Sequence, residues 1–157
     1  MKIKRIFVTV LVMLLAGIFG YVYGEDTAGG KPSPRAEAKA MVIKAEEFVN
    51  ANGKEKAIAE FNKQDGQFVK DYYYVFVYDL KGTVIAHPFR PSLVGKNVLS
   101  EPDSQGKLFR KEIVERAKAK GDGWVEYRYM NPTTKKEKNK ATYFKKVDDM
   151  IICCNAY

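Results

Sequence analysis

Few side chains in this sequence could do chemistry. The one histidine, His87, precedes Pro88, and the two cysteines, Cys153 and Cys154, are adjacent near the end of the chain. One histidine cannot build a His-rich metal site, and two thiols cannot hold a zinc ribbon or an iron–sulfur cluster within one chain. No Ser or Cys lies in a recognisable nucleophile frame, and a lone histidine without an orienting acid is poor evidence for catalysis. We therefore expect no catalytic residue, no metal and no cofactor, and a protein that is not an enzyme.

Aromatic residues dominate one predicted strand, residues 72–78. Because side chains alternate along a strand, the even positions share one face. These positions hold Tyr72, Tyr74, Phe76 and Tyr78. Tyrosines can line a pocket, since each ring offers apolar area and a hydroxyl group; the alternative is that they fill the core beneath a helix. Tyr127 and Tyr129 share a face of another predicted strand and could add hydroxyls.

Three basic side chains are candidates for holding an anion. Lys140 lies in a predicted strand, and an ammonium group directed at an apolar pocket needs an anion because burying it unpaired is costly. The alternative for Lys140 is a solvated lysine in the Lys-rich turn that precedes it. Arg90, in a long loop, can grip a carboxylate with two parallel bonds. His87 ends a strand and either donates to a carboxylate at the pocket rim or bonds to backbone.

The adjacent cysteines raise the question of a disulfide. Neighbouring α-carbons are ~3.8 Å apart, below the usual disulfide range, and adjacent strand side chains diverge. A vicinal bridge would need local distortion. We expect one of Cys153 and Cys154 to be buried in the core and the other to be free, pocket-facing or paired with a partner, with a redox switch as the alternative.

The start of the chain has the pattern of an export signal. Lys2, Lys4 and Arg5 precede an uncharged apolar run over residues 6–23, which predicts a secretory signal peptide over residues 1–24 or, alternatively, an uncleaved membrane anchor. Residues 25–35 are rich in Gly and Pro and predict a linker. We expect a periplasmic protein that meets the membrane only through this N-terminal segment, if it is uncleaved.

The rest of the chain, residues 36–157, is long enough for one domain. The net charge of the chain is +8, with charges of both signs interspersed, which gives no indication of a nucleic-acid partner. Hydrophobic spacing predicts helices over residues 36–50, 54–64 and 107–120, and strands over 72–78, 83–87, 124–130, 139–147 and 150–157. This order predicts an α+β fold: a PAS-like five-stranded antiparallel sheet with a long N-terminal helix and a crossing helix.

Several short blocks of the predicted domain resemble the single Cache domains, specifically the group sCache_2. The blocks are Tyr74-x-Phe76-Val77-Tyr78-Asp79-Leu80-x-Gly82, His87-Pro88, Leu93-x-Gly95-Lys96-Asn97, Asp103-x-x-Gly106-Lys107-x-Phe109, Gly121-x-Gly123-Trp124-Val125-x-Tyr127, Lys140-x-x-Tyr143 with Lys145, and Ile151 to Tyr157. The chain departs from the family pattern in lacking a Trp before the last strand and in having Asn155 where Gly is usual. Single Cache domains are extracytoplasmic sensor modules of chemoreceptors and histidine kinases. The resemblance also implies that the Lys-x-x-Tyr block lies beside a ligand cavity, although spacing puts Lys140 and Tyr143 on opposite faces of their strand.

The sequence therefore predicts a periplasmic domain that binds or senses a small molecule, a short-chain carboxylate, without a signalling module of its own. The loop over residues 89–103 would roof the sheet. The predicted ligand-binding residues are Tyr74, Phe76, His87, Arg90, Tyr127, Tyr129, Lys140 and Tyr143. The expected partners are a small organic acid and a membrane-bound receptor or kinase. The alternative is a pocketless interaction subunit that docks on a membrane sensor or redox partner.

Overall fold

The computed structural model describes residues 31–130 and 136–156. The helices are α1 (Pro34–Asn52), α2 (Lys54–Phe61) and α3 (Phe109–Lys120), with a short 3₁₀ turn at Pro91–Leu93. The strands are β1 (Val69–Lys70), β2 (Tyr73–Asp79), β3 (Val84–Ala86), β4 (Asp122–Met130), β5 (Glu137–Val147) and β6 (Met150–Ala156). The predicted signal segment and the first part of the predicted linker lie outside the described residues. In the part of the chain that is described, no helix has the length and apolar character needed to cross a bilayer.

Helix α1 begins inside the predicted linker. Ser33 is its N-cap, with the Oγ atom accepting a hydrogen bond from the backbone N–H of Ala36 at 3.2 Å, and Pro34 occupies the first turn, where its missing N–H costs nothing. The helix ends at Gly53, which adopts φ 82° and donates its N–H to the carbonyl of Val49. A stripe of buried residues at intervals of three and four, Ala38, Val42, Ala45 and Val49, faces the sheet.

The strands form an antiparallel sheet in the order β1-β2-β6-β5-β4, with β3 also paired to β2. The predicted α+β fold with a PAS-like antiparallel sheet is confirmed. The structure adds one element, the two-residue strand β1, which is too short to leave a periodic signal in the sequence. Alternation in β2 is as predicted: Val75 and Val77 pack with α1, and Phe76 and Tyr78 pack with α3 on the other face.

The loop before α3 is fastened to strand β4, at one edge of the sheet. The Oδ2 atom of Asp103 accepts the backbone N–H of Arg128 at 2.8 Å, and its Oδ1 atom accepts the N–H groups of Gln105 and Lys107. The Nζ atom of Lys107 donates to the carbonyl of Glu126. Burial alone would raise the pKa of Asp103, but these N–H donors outweigh it and hold the pKa below its usual value.

Both cysteines are free thiols and both are fully buried, so the prediction of one buried thiol holds for each of them, and neither faces the pocket. They occupy successive positions in β6 and so point to opposite faces of the sheet. Cys153 packs on the α3 side, and Cys154 packs on the α1 side with its Sγ atom 3.9 Å from the Sδ atom of Met41. Burial raises the pKa of Cys153 well above its usual value and that of Cys154 to about 12.

Both thiols are therefore expected to be inert in the folded protein. Neither is in the thiolate form that reacts, and neither is accessible. A thiol-reactive dye should label two cysteines per chain in denaturant and none in buffer over the same minutes. Stoichiometric labelling of the native protein, or a mass lower by two hydrogens, would contradict this placement.

Gly82 closes the turn between β2 and β3 and is expected to tolerate no side chain. It has φ +83°, and a Cβ atom there would overlap the Leu99 side chain. Gly53 has nearly the same φ, +82°, but open space around it. Gly82→Ala should lower the free energy of unfolding by about 2–4 kcal/mol, against about 1–2 kcal/mol for the control Gly53→Ala, as measured by urea denaturation. Equal losses in the two variants would mean that Leu99 is free to move aside.

Candidate functional site

A cavity of about 80 Å³ lies between the sheet and the elements on its α3 face. Strands β2, β4, β5 and β6 form its base, and β3, the loop after it and α3 form the rest. It brings together seven of the eight predicted binding residues: Tyr74, Phe76, His87, Arg90, Tyr127, Tyr129 and Lys140. The other lining residues are Tyr78, Val84, Leu93, Phe109, Arg110 and Asn155.

The imidazole of His87 is held in one tautomer. Its Nδ1 atom accepts backbone N–H groups from Phe89 at 3.3 Å and from Arg90 at 3.1 Å. An imidazole nitrogen that accepts hydrogen bonds carries no proton, so in the neutral ring the proton is on Nε2. Burial, together with the charges of Arg90, Lys140 and Arg110, lowers the pKa of His87 to about 4. At neutral pH His87 therefore presents an uncharged Nε2–H donor at the far edge of its ring. Its Nδ1 atom meanwhile makes the hydrogen bonds to backbone that the sequence offered as the alternative role for this residue.

Aromatic rings fix the position of His87. The ring stacks on Phe76 with centroids 5.7 Å apart and an interplanar angle of 26°, and it contacts Tyr74 at 5.3 Å. Tyr74 in turn meets Phe89 edge-on at 5.0 Å. Burial raises the pKa of the Tyr74 phenol, so that this hydroxyl remains protonated. These contacts leave the imidazole little freedom to rotate.

Lys140 is the most deeply buried cation of the described site, with 6% of its surface exposed. Its Nζ atom lies 4.6 Å from the centroid of the Tyr129 ring, a cation–π distance. Burial, followed by the charge of Arg90, lowers the pKa of Lys140 to about 7.

Arg110, on α3, is the basic residue that sequence reasoning missed. Its side chain is 15% exposed, and its Nη1 atom lies 3.4 Å from a carboxylate oxygen of Glu101. Its charge acts to lower the pKa values of both His87 and Lys140. Arg110 and Lys111 are equally basic in the sequence; helical spacing from the buried Phe109 gives only a weak signal that one of them turns inward.

Asn155 is a polar residue of the cavity wall, and two neighbouring hydroxyl groups hold its side chain in place. Its Oδ1 atom accepts hydrogen bonds from the Thr142 hydroxyl at 2.7 Å and from the Tyr127 hydroxyl at 3.2 Å. The ring of Tyr127 stacks on Phe109 with centroids 3.8 Å apart and an angle of 6°. The parity of β6 places Asn155 on the same face as Ile151 and Cys153, so this residue could have been found from the sequence.

Tyr143 is not part of this cavity. It lies on the α1 face of β5, where its hydroxyl donates to Asp122 Oδ2 at 2.6 Å and its ring packs against Trp124 with centroids 5.2 Å apart. The family motif had suggested that Tyr143 lies beside the ligand cavity, but the alternation of side chains in β5 puts it on the opposite face from Lys140. Burial and the hydrogen bond to Asp122 raise the pKa of Tyr143.

A second, open cleft of about 690 Å³ shares Tyr127 and Lys140 with the cavity and extends along β4 and the start of α1. It is larger, but charged side chains that line it pair with one another or with neighbours. Arg35 forms an ion pair with Glu126, and Lys107 pairs with Glu112 at 3.0 Å. The smaller cavity is the better candidate site because it is less open than the cleft and gathers three basic side chains, Arg90, Arg110 and the buried Lys140.

Several solved structures are similar to this chain. A methyl-accepting chemotaxis protein from Vibrio parahaemolyticus is 24% identical, with a TM-score of 0.64 over 78% of this chain and 87% of that one. The periplasmic sensor domain of a chemotaxis protein is 21% identical, with a TM-score of 0.62 over 79% of this chain and 92% of the other. A Cache chemosensory domain whose structure describes carboxylic acid recognition is 23% identical, with a TM-score of 0.58 over 77% and 86% of the two chains.

These solved structures share the fold of the chain. Residues 35–153 match the family model dCache_2, described as a Cache domain. The predicted family is thus confirmed at the level of the Cache domain, although the matching model is dCache_2 rather than sCache_2. The chain belongs to the Cache family of sensory domains.

Proposed function

We propose that the cavity binds a small organic acid through its carboxylate group. The observation that carries the proposal is the convergence of the buried Lys140 with Arg110 and Arg90 on one small cavity, beside the neutral N–H donor of His87. Like charges in a site of low dielectric repel one another, and an anion removes that repulsion. Among the described lining residues there is no Asp or Glu to do so from within the cavity.

The rest of the lining suits the organic part of such a ligand. Phe76, Val84, Leu93 and Phe109 supply apolar surface, and Tyr74, Tyr127 and Tyr129 supply rings with hydroxyl groups. A binding site that combines apolar walls with a few polar anchors is typical for small molecules. The Cache domain noted above for carboxylic acid recognition supports the same ligand class.

A thermal-shift screen, followed by calorimetry, tests the proposal. Acetate, propionate, lactate and pyruvate should raise the melting temperature, whereas the matched neutral amides, acetamide and propionamide, should not. Shape and polarity are nearly the same in each acid and amide pair, so the difference reports the charge. Absence of any acid effect, or equal effects of acid and amide, would refute carboxylate binding. Equal shifts with chloride or nitrate would identify a general anion site instead.

Periplasmic location and a signalling partner complete the proposal. The basic start and apolar run of residues 1–24 support export, and ligand occupancy is then passed to a membrane-bound receptor or kinase. Mass spectrometry of the protein recovered from the periplasm of a bacterial host should show Glu25 as the first residue. Retention of residues 1–24 in a membrane fraction would favour the anchored form.

The alternative of a pocketless interaction subunit predicts a filled cavity and a large exposed apolar patch. The described residues leave about 80 Å³ open beside Lys140, Arg90 and Arg110, which favours a ligand. If neither acids nor amides bind, and the protein instead captures a membrane sensor, the interaction subunit becomes the better interpretation.

A further inference from the structure

We infer that Asn155 limits the length of the acid that the cavity accepts, so that carboxylates of two or three carbons bind and longer ones are rejected. This inference rests on the proposed function and deepens it, because it assigns selectivity among acids to one side chain. It starts from the available space. The cavity, about 80 Å³ in volume, is small, and a carboxylate with a short carbon chain suits a space of this size.

The Asn155 side chain is a fixed part of the wall. It is 3% exposed and lies at the end of β6, opposite Thr142 in the β5–β6 register. Its Oδ1 atom receives two hydrogen bonds, from Thr142 and Tyr127, and the two hydroxyl oxygens are themselves 3.3 Å apart. Breaking this cluster to make room would leave buried polar atoms unsatisfied, which is costly.

The neighbouring wall is equally rigid. Tyr127 is held by its stacking on Phe109 as well as by Asn155. The base of the cavity consists of paired strands, whose backbones are held in register by ladder hydrogen bonds. In contrast, Phe89 and Arg90 on the loop are exposed. A longer acid whose carbon chain extends toward β6 therefore meets a fixed wall at Asn155, and its selection by size depends on that residue.

Asn155→Ala removes three non-hydrogen atoms from the wall without introducing charge. The added space matches up to three further methylene groups. Each methylene that becomes buried should strengthen binding by about fourfold, the equivalent of ~0.8 kcal/mol. Thr142→Val is the matched control: it removes a hydrogen bond to Asn155 but keeps the volume of Thr142, which does not line the cavity.

Calorimetric titration with the series from acetate to hexanoate tests the inference. The unmodified protein and Thr142→Val should bind acetate or propionate most tightly and lose about tenfold or more by pentanoate. Asn155→Ala should instead bind pentanoate at least tenfold more tightly than the unmodified protein does. If Asn155→Ala fails to fold by circular dichroism, Asn155→Ser, which keeps a hydroxyl, should show the same shift in smaller degree.

The possible failures are distinct. If the unmodified protein and the Asn155 variants share one length dependence, the inference is wrong and carboxylate binding stands. If the unmodified protein already prefers pentanoate to acetate, the inference is also wrong. If no acid binds to any variant, both the inference and the proposed function are refuted.

Discussion

Lys140→Met should weaken carboxylate binding by about 10- to 100-fold. A hydrogen bond to a charged group contributes about 1.5–3 kcal/mol, and the buried ammonium group of Lys140 makes that contribution in a site of low dielectric. Met has similar length and apolar volume, so the change removes the charge and leaves the packing in place. Isothermal titration with acetate or propionate at pH 6 measures the loss.

Lys146→Met provides the matched control on the same strand. Lys146 points to the same side of β5 but is exposed and outside the cavity, so its replacement should change affinity less than twofold. Lys140→Met itself should change the melting temperature little, because the loss of the cation–π contact with Tyr129 opposes the relief of burying a cation. If both variants bind alike, or if Lys140→Met binds as the unmodified protein does, Lys140 is not an anchor for the ligand.

Carboxylate affinity should fall as the pH rises above about 7. Burial and Arg90 lower the pKa of Lys140 in the empty site to about 7. A bound carboxylate favours the charged ammonium and so raises that pKa, which means that binding takes up a proton at alkaline pH. Affinity should therefore be nearly constant from pH 5.5 to 6.5 and fall up to tenfold per pH unit above 7, until the pKa of the complex is reached. Titration calorimetry in buffers of different ionisation enthalpy measures both the affinity and the proton uptake.

His87 does not account for such a trend, because its pKa of about 4 keeps it neutral across this range. Burial raises the pKa values of the Tyr74 and Tyr78 phenols, so neither phenol loses its proton in this range. Lys140→Arg keeps its charge at every pH tested, so the variant should lose the decline above pH 7 if it still binds. A decline of the same size in Lys140→Arg or Lys140→Met would assign the titration to another group.

Sequence periodicity predicted the parts of the site that lie on long, alternating strands. The parity of β2 and β4 placed Tyr74, Phe76, Tyr127 and Tyr129 on one face, and the structure has them there. Tyr143 shows the limit of reasoning from a motif, because the same parity already put it on the other face from Lys140. Where a family motif and the alternation of side chains disagree within a strand, the alternation determines which face a residue occupies, since it is fixed by backbone geometry.

The residues that periodicity missed lie where it carries little information. Helix α3 is rich in charged residues, and a basic side chain at the border of its buried stripe has the same sequence signal as an exposed one. Arg110 turns inward because of how α3 crosses the sheet, which depends on contacts distant in sequence. The volume of the cavity likewise depends on how distant elements pack together. It is small compared with the volume of the packed core, so sequence patterns do not predict it.

The loop that ends at Asp103 has a consequence for solubility. β4 is an outer strand of the sheet, and an uncovered outer strand offers backbone groups with which another chain can pair and aggregate. Asp103 occupies the amide of Arg128, and Lys107 occupies the carbonyl of Glu126. A foreign strand would have to displace an ionised carboxylate and an ammonium group before it could dock there. The loop that leads the chain into α3 thus hinders another protein molecule from adding a strand to the sheet at β4.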